Sequence, residues 1–317
     1  MRITRTLAAA TAAVTVLVLG ATPAAAHVSS AADEAHETYG AYDGYDAYDA
    51  APDVRQIRHI PLQGAVNVRD VGGYRTYDGE RVRHGRVYRA DALSRLTDAD
   101  VTALAGLGLG RVVDFRIADE VRFDGPDRLP AGLTATARPV TDNGLFQRIM
   151  TAIGSRDPVK QEELLGGGRA EAFMRDAYRT FVTDAANRAV FAATLRDIAD
   201  GGAPLLYHCT AGKDRTGWTT YVLLRALGVP ERTAVDDYLA SNAFRAAYDA
   251  KVRETLEQTG MMQNPDLLIP LQEVRTGYLD AALAEVTQHY GGFGGYLTRG
   301  LGLDARTLVA LRERMVT

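Results

Sequence analysis

The ten residues "HCTAGKDRTG" at 208–217 hold Cys209, the single cysteine of a 317-residue chain, with Lys213 and Arg215 close behind it. The preceding "APLLYHC" is an apolar run that fits a buried strand, and "DRTGWTTYVLLRALG" after it has the apolar spacing of a helix. A strand that turns through a short loop into a helix presents unpaired amide N–H groups and the positive end of a helix dipole, and together these bind anions. Lys213 and Arg215 add two cations, and Gly212 lets the backbone of Thr210, Ala211 and Gly212 turn its N–H groups inward. A thiol beside cations and a helix N-terminus is held as thiolate. Facing a cradled phosphoryl group, a thiolate is a nucleophile in place.

Strands alternate with helices around this loop, which implies an α/β fold with a central, mostly parallel sheet flanked by helices. "VYRADALSRLTDADVTALAGLGLGRVVDFRIADE" reads as strand, loop, helix, strand. Thr97 is placed to cap a helix running to about Gly106, with Asp98 and Asp100 in its first turn. Val112, Val113 and Phe115 then form a short apolar strand. "TATARPVTDNG" reads as a further strand ending at Asp142, a long helical region spans roughly Arg169 to Asp200, and the C-terminal third is mostly helical.

The first residues belong to a different kind of segment. Arg2 and Arg5 precede an uncharged run from Leu7 to Leu19, and Ala24-Ala25-Ala26 offers an A-x-A cleavage site before His27. The run is shorter than the roughly 18 residues that a spanning helix needs, so residues 1–26 read as a cleaved signal peptide and the protein as secreted, with no stable membrane span afterwards. Residues 27–54 carry five aspartates and two glutamates without a lysine or arginine, and set Tyr39, Tyr42, Tyr45 and Tyr48 three apart. Lacking aliphatic clusters, this stretch reads as a disordered acidic linker rather than a binding tail. No second linker or repeat follows, so 55–317 reads as one catalytic domain. Removing the two leader arginines and the seven acidic residues of 27–54 from totals of 36 and 40 leaves 34 basic and 33 acidic. That near-neutral balance gives no support for a nucleic-acid partner. The six histidines are scattered without ligand spacing, so neither metal nor other cofactor is expected.

Cys209 and Arg215 form C-x5-R, and the whole "HCTAGKDRTG" string resembles the loop of the bacterial protein-tyrosine phosphatases, the cysteine-dependent family with secreted mycobacterial members. "NVRDVGGYRT", "GRVYRADALSRLT", "VVDFR" with Glu120 after it, and the closing "LDAALAEV" and "YGGFGGYLTRGLGLDARTLVALRERM" extend the resemblance over essentially 55–317. It implies the cysteine-phosphatase fold and a two-step reaction in which Cys209 attacks phosphorus to form a cysteinyl-phosphate. Arg215 then holds two equatorial oxygens with its planar fork, which lysine cannot match. The resemblance gives Thr216 the role of hydrogen-bond donor to the sulfur. His208 either orients the loop through its ring or is a packed core histidine.

Leaving-group protonation needs a carboxylic acid, and three aspartates compete for it. Asp214 lies in the loop and is shared by the mycobacterial-type enzymes. Asp142 follows a strand upstream, roughly where dual-specificity phosphatases carry their acid. Asp114 sits in "VVDFR", where an ion pair with Arg116 is the alternative. They rank in that order with little separation.

Lys213 is found at this loop position in phosphatases acting on phosphoinositides, so the expected substrates are phosphotyrosine first, then phosphoserine, phosphothreonine and phosphoinositides. An inositol-phosphate phosphatase of the phytase kind and a non-catalytic phosphate- or lipid-binding module are the alternatives. The apolar "GMMQNPDLLIPLQ" reads equally as part of a helical lid that shields the thiolate from oxidation and as ordinary helix packing.

Overall fold

The computed structural model describes residues 57–317. The expected leader and acidic linker lie outside them. Five strands form one sheet: β1 (Arg69–Asp70), β2 (Val87–Ala90), β3 (Arg111–Asp114), β4 (Ala135–Ala137) and β5 (Leu205–His208), in the order β1-β2-β5-β3-β4. Four of them run parallel, and β1 alone pairs antiparallel, with β2. The outer edge of β1 is covered by the chain entering at residues 58–60, where Asp70 N–H donates to Arg58 and Ile60 N–H to Val68.

β5 lies in the middle, and all four of its residues are buried. A parallel strand covered on both faces reads as continuous apolar sequence, which is why "APLLYHC" shows no alternation. The two faces still sort by the strand period of two. Tyr88, Ala90, Val112 and Leu206 pack on one side with Leu93 and Leu96 of the loop after β2 and with Leu104 of α1 (Asp98–Ala105). Val87, Val113, Leu205 and Tyr207 pack on the other, in a larger core with Phe181, Phe191 and Trp218. The helices therefore divide unequally. α1 covers the first face, and the second receives α5 (Arg169–Thr183), α6 (Ala185–Asp200) and α7 (Arg215–Ala226).

α2 (Ala118–Asp124), α3 (Leu145–Ser155) and α4 (Pro158–Leu165) lie between β3 and α5 in the chain. The C-terminal third is helical as expected, through α8 (Glu231–Gln258), α9 (Ile269–Gln272), α10 (Thr276–Tyr290) and α11 (Ala305–Met315). Among the described residues no helix is long and apolar enough to cross a membrane.

Local chemistry sets several boundaries. Thr97 caps α1 in a full capping box with Asp100, as the sequence indicates. The single helical region read over 169–200 is two helices broken at Asp184, which leaves the helical conformation and accepts from Asn187 N–H as the N-cap of α6. β4 stops at Ala137, well short of Asp142. Pro139 has no N–H for the ladder, and only Arg138 and Val140 still donate to β3 and its exit, at Asp114 and Phe115.

Candidate active site

Cys209 directly follows β5 and is 1% exposed. Three carbonyls of the loop after it meet fixed donors. Thr210 O accepts from Ala92 N–H at 3.1 Å. Ala211 O accepts from Asn67 at 3.1 Å and from Arg245 at 3.3 Å, and Gly212 O from Arg89 at 2.8 Å. Across the peptide plane, the amide N–H groups of Thr210 through Arg215 donate to no acceptor among the described residues. Gly212 makes the turn possible, with φ at +64° and a position where a Cβ would lie 2.5 Å from the Ala90 carbonyl oxygen. No side chain fits there.

This clamp has its own anchor. Asp237 on α8 is fully buried and accepts from Arg69 Nε at 3.1 Å, Arg89 at 2.6 Å and the Tyr74 hydroxyl at 2.8 Å. Burial pushes its carboxyl up, but the two guanidiniums outweigh this and bring it down to about 2. Arg69 in turn donates to the Asn67 side chain, so one carboxylate on α8 positions two of the donors that grip the loop, Arg89 directly and Asn67 through Arg69.

Arg215 opens α7 and is 6% exposed. Its guanidinium makes two bonds to Glu120, at 2.6 and 2.5 Å, and a third to the Phe115 carbonyl at 3.2 Å. Glu120 sits in the first turn of α2, accepts from Ile117 N–H at 2.8 Å, and also takes the Thr210 hydroxyl at 2.6 Å. Burial opposes the charge on both partners. The pairing nevertheless holds Glu120 below and Arg215 above their ordinary ranges.

Lys213 is buried and engaged with its neighbours. Its Nζ donates to both Asp214 oxygens, at 2.9 and 2.8 Å, and to the Glu273 carbonyl at 3.2 Å. Asp214 also accepts from Tyr178, whose hydroxyl receives a bond from Tyr238 at 2.8 Å. Burial, then the nearby Asp214 charge, raises the Tyr178 phenol far above its usual value, so it acts as a neutral donor. The second aspartate, Asp142, lies before α3 and accepts from Gly144 and Phe146 N–H at 3.0 and 2.7 Å. It is close enough for its charge to act on Arg215.

Asp114 is placed differently. It ends β3, in register with His208, and both of its oxygens accept from the Arg116 guanidinium at 2.8 to 3.1 Å. Arg116 also binds Asp127 at 2.7 Å, and Asp127 holds the fully buried His208 ring at 3.0 Å through Nε2. Asp114, Asp127 and His208 are close enough to share a metal ion, yet the guanidinium already occupies their midst. Thr216 is fully buried, and its hydroxyl has no partner among the described residues.

Cys209, the loop backbone, Lys213, Asp214, Arg215 and Thr216 lie together on the one strand–loop–helix segment. Glu120, Asn67, Arg69 and Arg89 stand in the family-like strings without a role visible from sequence, Tyr178, Asp237 and Arg245 read only as parts of helices, and Asp127 carries no signal. The apolar 260–272 segment is packed, with Met261, Met262, Leu268 and Leu271 buried, and its end meets the loop through Lys213 and Glu273.

A mostly parallel sheet carries the C-x5-R loop at the exit of its central strand. Residues 60–317 match the family model described as "Tyrosine phosphatase family", and the chain belongs to that family. It is 34% identical over 245 residues to a protein of Cupriavidus necator named as a tyrosine-protein phosphatase, covering 76% of this chain and 84% of that one. It is 32% identical over 278 residues to the triple specificity protein phosphatase PtpB of Mycobacterium tuberculosis, covering 81% of this chain and 98% of the relative. A tyrosine-protein phosphatase of Nostoc commune is 28% identical over 235 residues. The enzyme class that follows is protein-tyrosine phosphatase.

Proposed function

We propose that the chain hydrolyses phosphotyrosine esters through a cysteinyl-phosphate formed on Cys209. The observation that carries this reading is the loop whose Thr210, Ala211 and Gly212 carbonyls are each held by a donor, leaving amide N–H groups without acceptors beside one thiol and one arginine. A phosphate dianion seated there accepts from these N–H groups and from Arg215 while its phosphorus faces the sulfur. The sulfur–phosphorus bond forms as the ester oxygen leaves, and water then releases phosphate and restores the thiolate. The Thr216 hydroxyl, buried without another partner, is the donor that steadies the sulfur.

The leaving oxygen takes its proton from Asp214, with Asp142 as the second candidate. Asp214 is tied to Lys213 in the resting site. When the ammonium turns to the incoming phosphate, Asp214 keeps only Tyr178 and takes up the proton it then donates. Asp114, enclosed by Arg116, positions His208 instead. The same movement of Lys213 supplies the second cation that phosphoinositides need, and a relative named for triple specificity supports a range wider than phosphotyrosine.

The test is hydrolysis of p-nitrophenyl phosphate and a phosphotyrosine peptide by wild type and Cys209→Ser, with mass spectrometry of quenched Asp214→Asn. The expected result is no turnover by the serine variant and a phosphate adduct on Cys209 in the aspartate variant. Turnover by Cys209→Ser overturns the reading. A parallel panel of phosphoserine peptide, phosphoinositides and phytate sets the range.

A further inference from the structure

Asp214 stands at the N-cap of α7, and its side chain does not take the bond that this position favours. An aspartate there ordinarily accepts from an amide N–H two or three residues on, inside the first turn of its own helix. Asp214 makes no such bond. Its carboxylate turns instead to the Lys213 ammonium and to the hydroxyl of Tyr178, 2.9 Å from Oδ1. The ammonium reaches both oxygens, whereas Tyr178 reaches Oδ1 alone.

Tyr178, on α5, does not stand by itself. The Tyr238 hydroxyl, on α8, lies 2.8 Å from that of Tyr178 and 3.3 Å from the Arg275 carbonyl. The two rings are fully buried and meet edge to face, with centroids 6.2 Å apart. Asp214, with 17% of its side chain exposed, is the accessible end of this chain. Each hydroxyl carries one hydrogen. The hydrogens therefore run in one direction, from Tyr238 to Tyr178 and from Tyr178 to the carboxylate. Burial, then the Asp214 charge, keeps both phenols far above their ordinary value, so both remain donors.

We propose that Tyr178, backed by Tyr238, is a positioning residue for the general acid: it holds Oδ1 of Asp214 in both protonation states and so places the transferable proton on Oδ2. This rests on the reading of Asp214 as that acid. With Oδ1 taken by a donor and Lys213 drawn to the phosphate, Oδ2 is the oxygen left to carry a proton. As the phosphorus–oxygen bond breaks, its electron pair stays on the ester oxygen, which takes that proton from Oδ2. The carboxylate so formed keeps the Tyr178 bond, now with an anion as acceptor and therefore stronger. Tyr178 thus acts most as charge develops on Asp214, on the way to the transition state.

The test compares the full chain with Tyr178→Phe, Asp214→Asn and the double variant, on phenyl phosphate and p-nitrophenyl phosphate, each at its pH of maximum rate. Tyr178→Phe keeps the ring, and the Tyr238 hydroxyl that it releases has the Arg275 carbonyl to turn to. The expected kcat on phenyl phosphate falls by about 10-fold, the difference between a hydrogen bond to a charged and to a neutral group, while p-nitrophenyl phosphate is nearly unchanged. In the Asp214→Asn background the same substitution should change phenyl phosphate by less than about twofold, because the two residues act as one unit. Equal losses on both substrates, or an undiminished loss in the Asp214→Asn background, overturn the proposal. Leaving-group selectivity in Asp214→Asn with none in Tyr178→Phe overturns it too, and leaves the acid assigned. An Asp214→Asn variant without selectivity removes the reading of the acid, and the role of Tyr178 falls with it.

Discussion

Glu120 and Arg215 lie 95 residues apart in sequence and meet through two hydrogen bonds in a buried pair. The carboxylate also takes the Thr210 hydroxyl, so a single side chain aligns the loop and the arginine that must hold the same phosphate. Removing one partner of such a pair leaves a buried charge uncompensated, at about 3–5 kcal/mol. Glu120→Gln is expected to lose stability of that order in urea unfolding. Its kcat/KM on p-nitrophenyl phosphate should fall by about 100-fold, the effect of misplacing a binding group by about 1 Å. A variant with full stability and full activity contradicts the assigned role.

The general acid is separated by leaving group. Asp214→Asn is expected to slow phenyl phosphate by roughly 100-fold or more while p-nitrophenyl phosphate, whose leaving group needs little protonation, changes far less. Asp142→Asn should show a weaker version of the same pattern. Asp114→Asn should lower both substrates equally, because it loosens Arg116 and His208 without touching the leaving oxygen. A selective loss in Asp142→Asn alone would transfer the role to that residue.

Asp237 predicts an acid limb of stability. Its carboxyl sits at about 2 in the folded chain against an ordinary 3.8. A depressed carboxyl contributes stability that is complete above its unfolded pKa and is lost as pH falls through the folded one, so the window runs from about pH 4 down to about pH 2. Its size is roughly 2 kcal/mol. Urea unfolding of wild type and Asp237→Asn at pH 6, 4 and 3 should show the wild-type advantage shrinking toward the lowest pH. An advantage independent of pH would refute the ionic clamp.

Gly212 carries both a positive φ and a closed space against Ala90. Gly212→Ala is expected to shift the loop, lowering activity by about 100-fold. The near- and far-ultraviolet circular dichroism should stay native, because the sheet and α7 are anchored elsewhere. Retention of more than a tenth of wild-type kcat/KM would show that the loop conformation has other solutions.

Cys209, Gly212, Lys213, Asp214 and Arg215 were legible because they are consecutive, and a strand–loop–helix transition positions whatever it carries. The parallel sheet was legible from the continuous apolar runs at Val112 and Leu205. What joins the loop to the fold was not. Arg89 reaches the Gly212 carbonyl across 123 positions, and Asp237 holds Arg69 across 168. A buried arginine and a solvated one are the same letter, and only the third dimension tells them apart. The break at Asp184 was present in the text as Asp-x-x-Asn, but strong helix formers on both sides concealed it. Asp114 shows the reverse case. Its motif offers an acid or an ion-pair partner, and both of its oxygens accept from the neighbouring Arg116.

The burial of Cys209 has a practical consequence beyond catalysis. Because this sulfhydryl is the only one in the sequence, every mole of thiol titrated in a purified sample is a mole of unmodified Cys209. With 1% of its surface exposed, the speed at which a bulky maleimide reacts is a clock for how often the site opens.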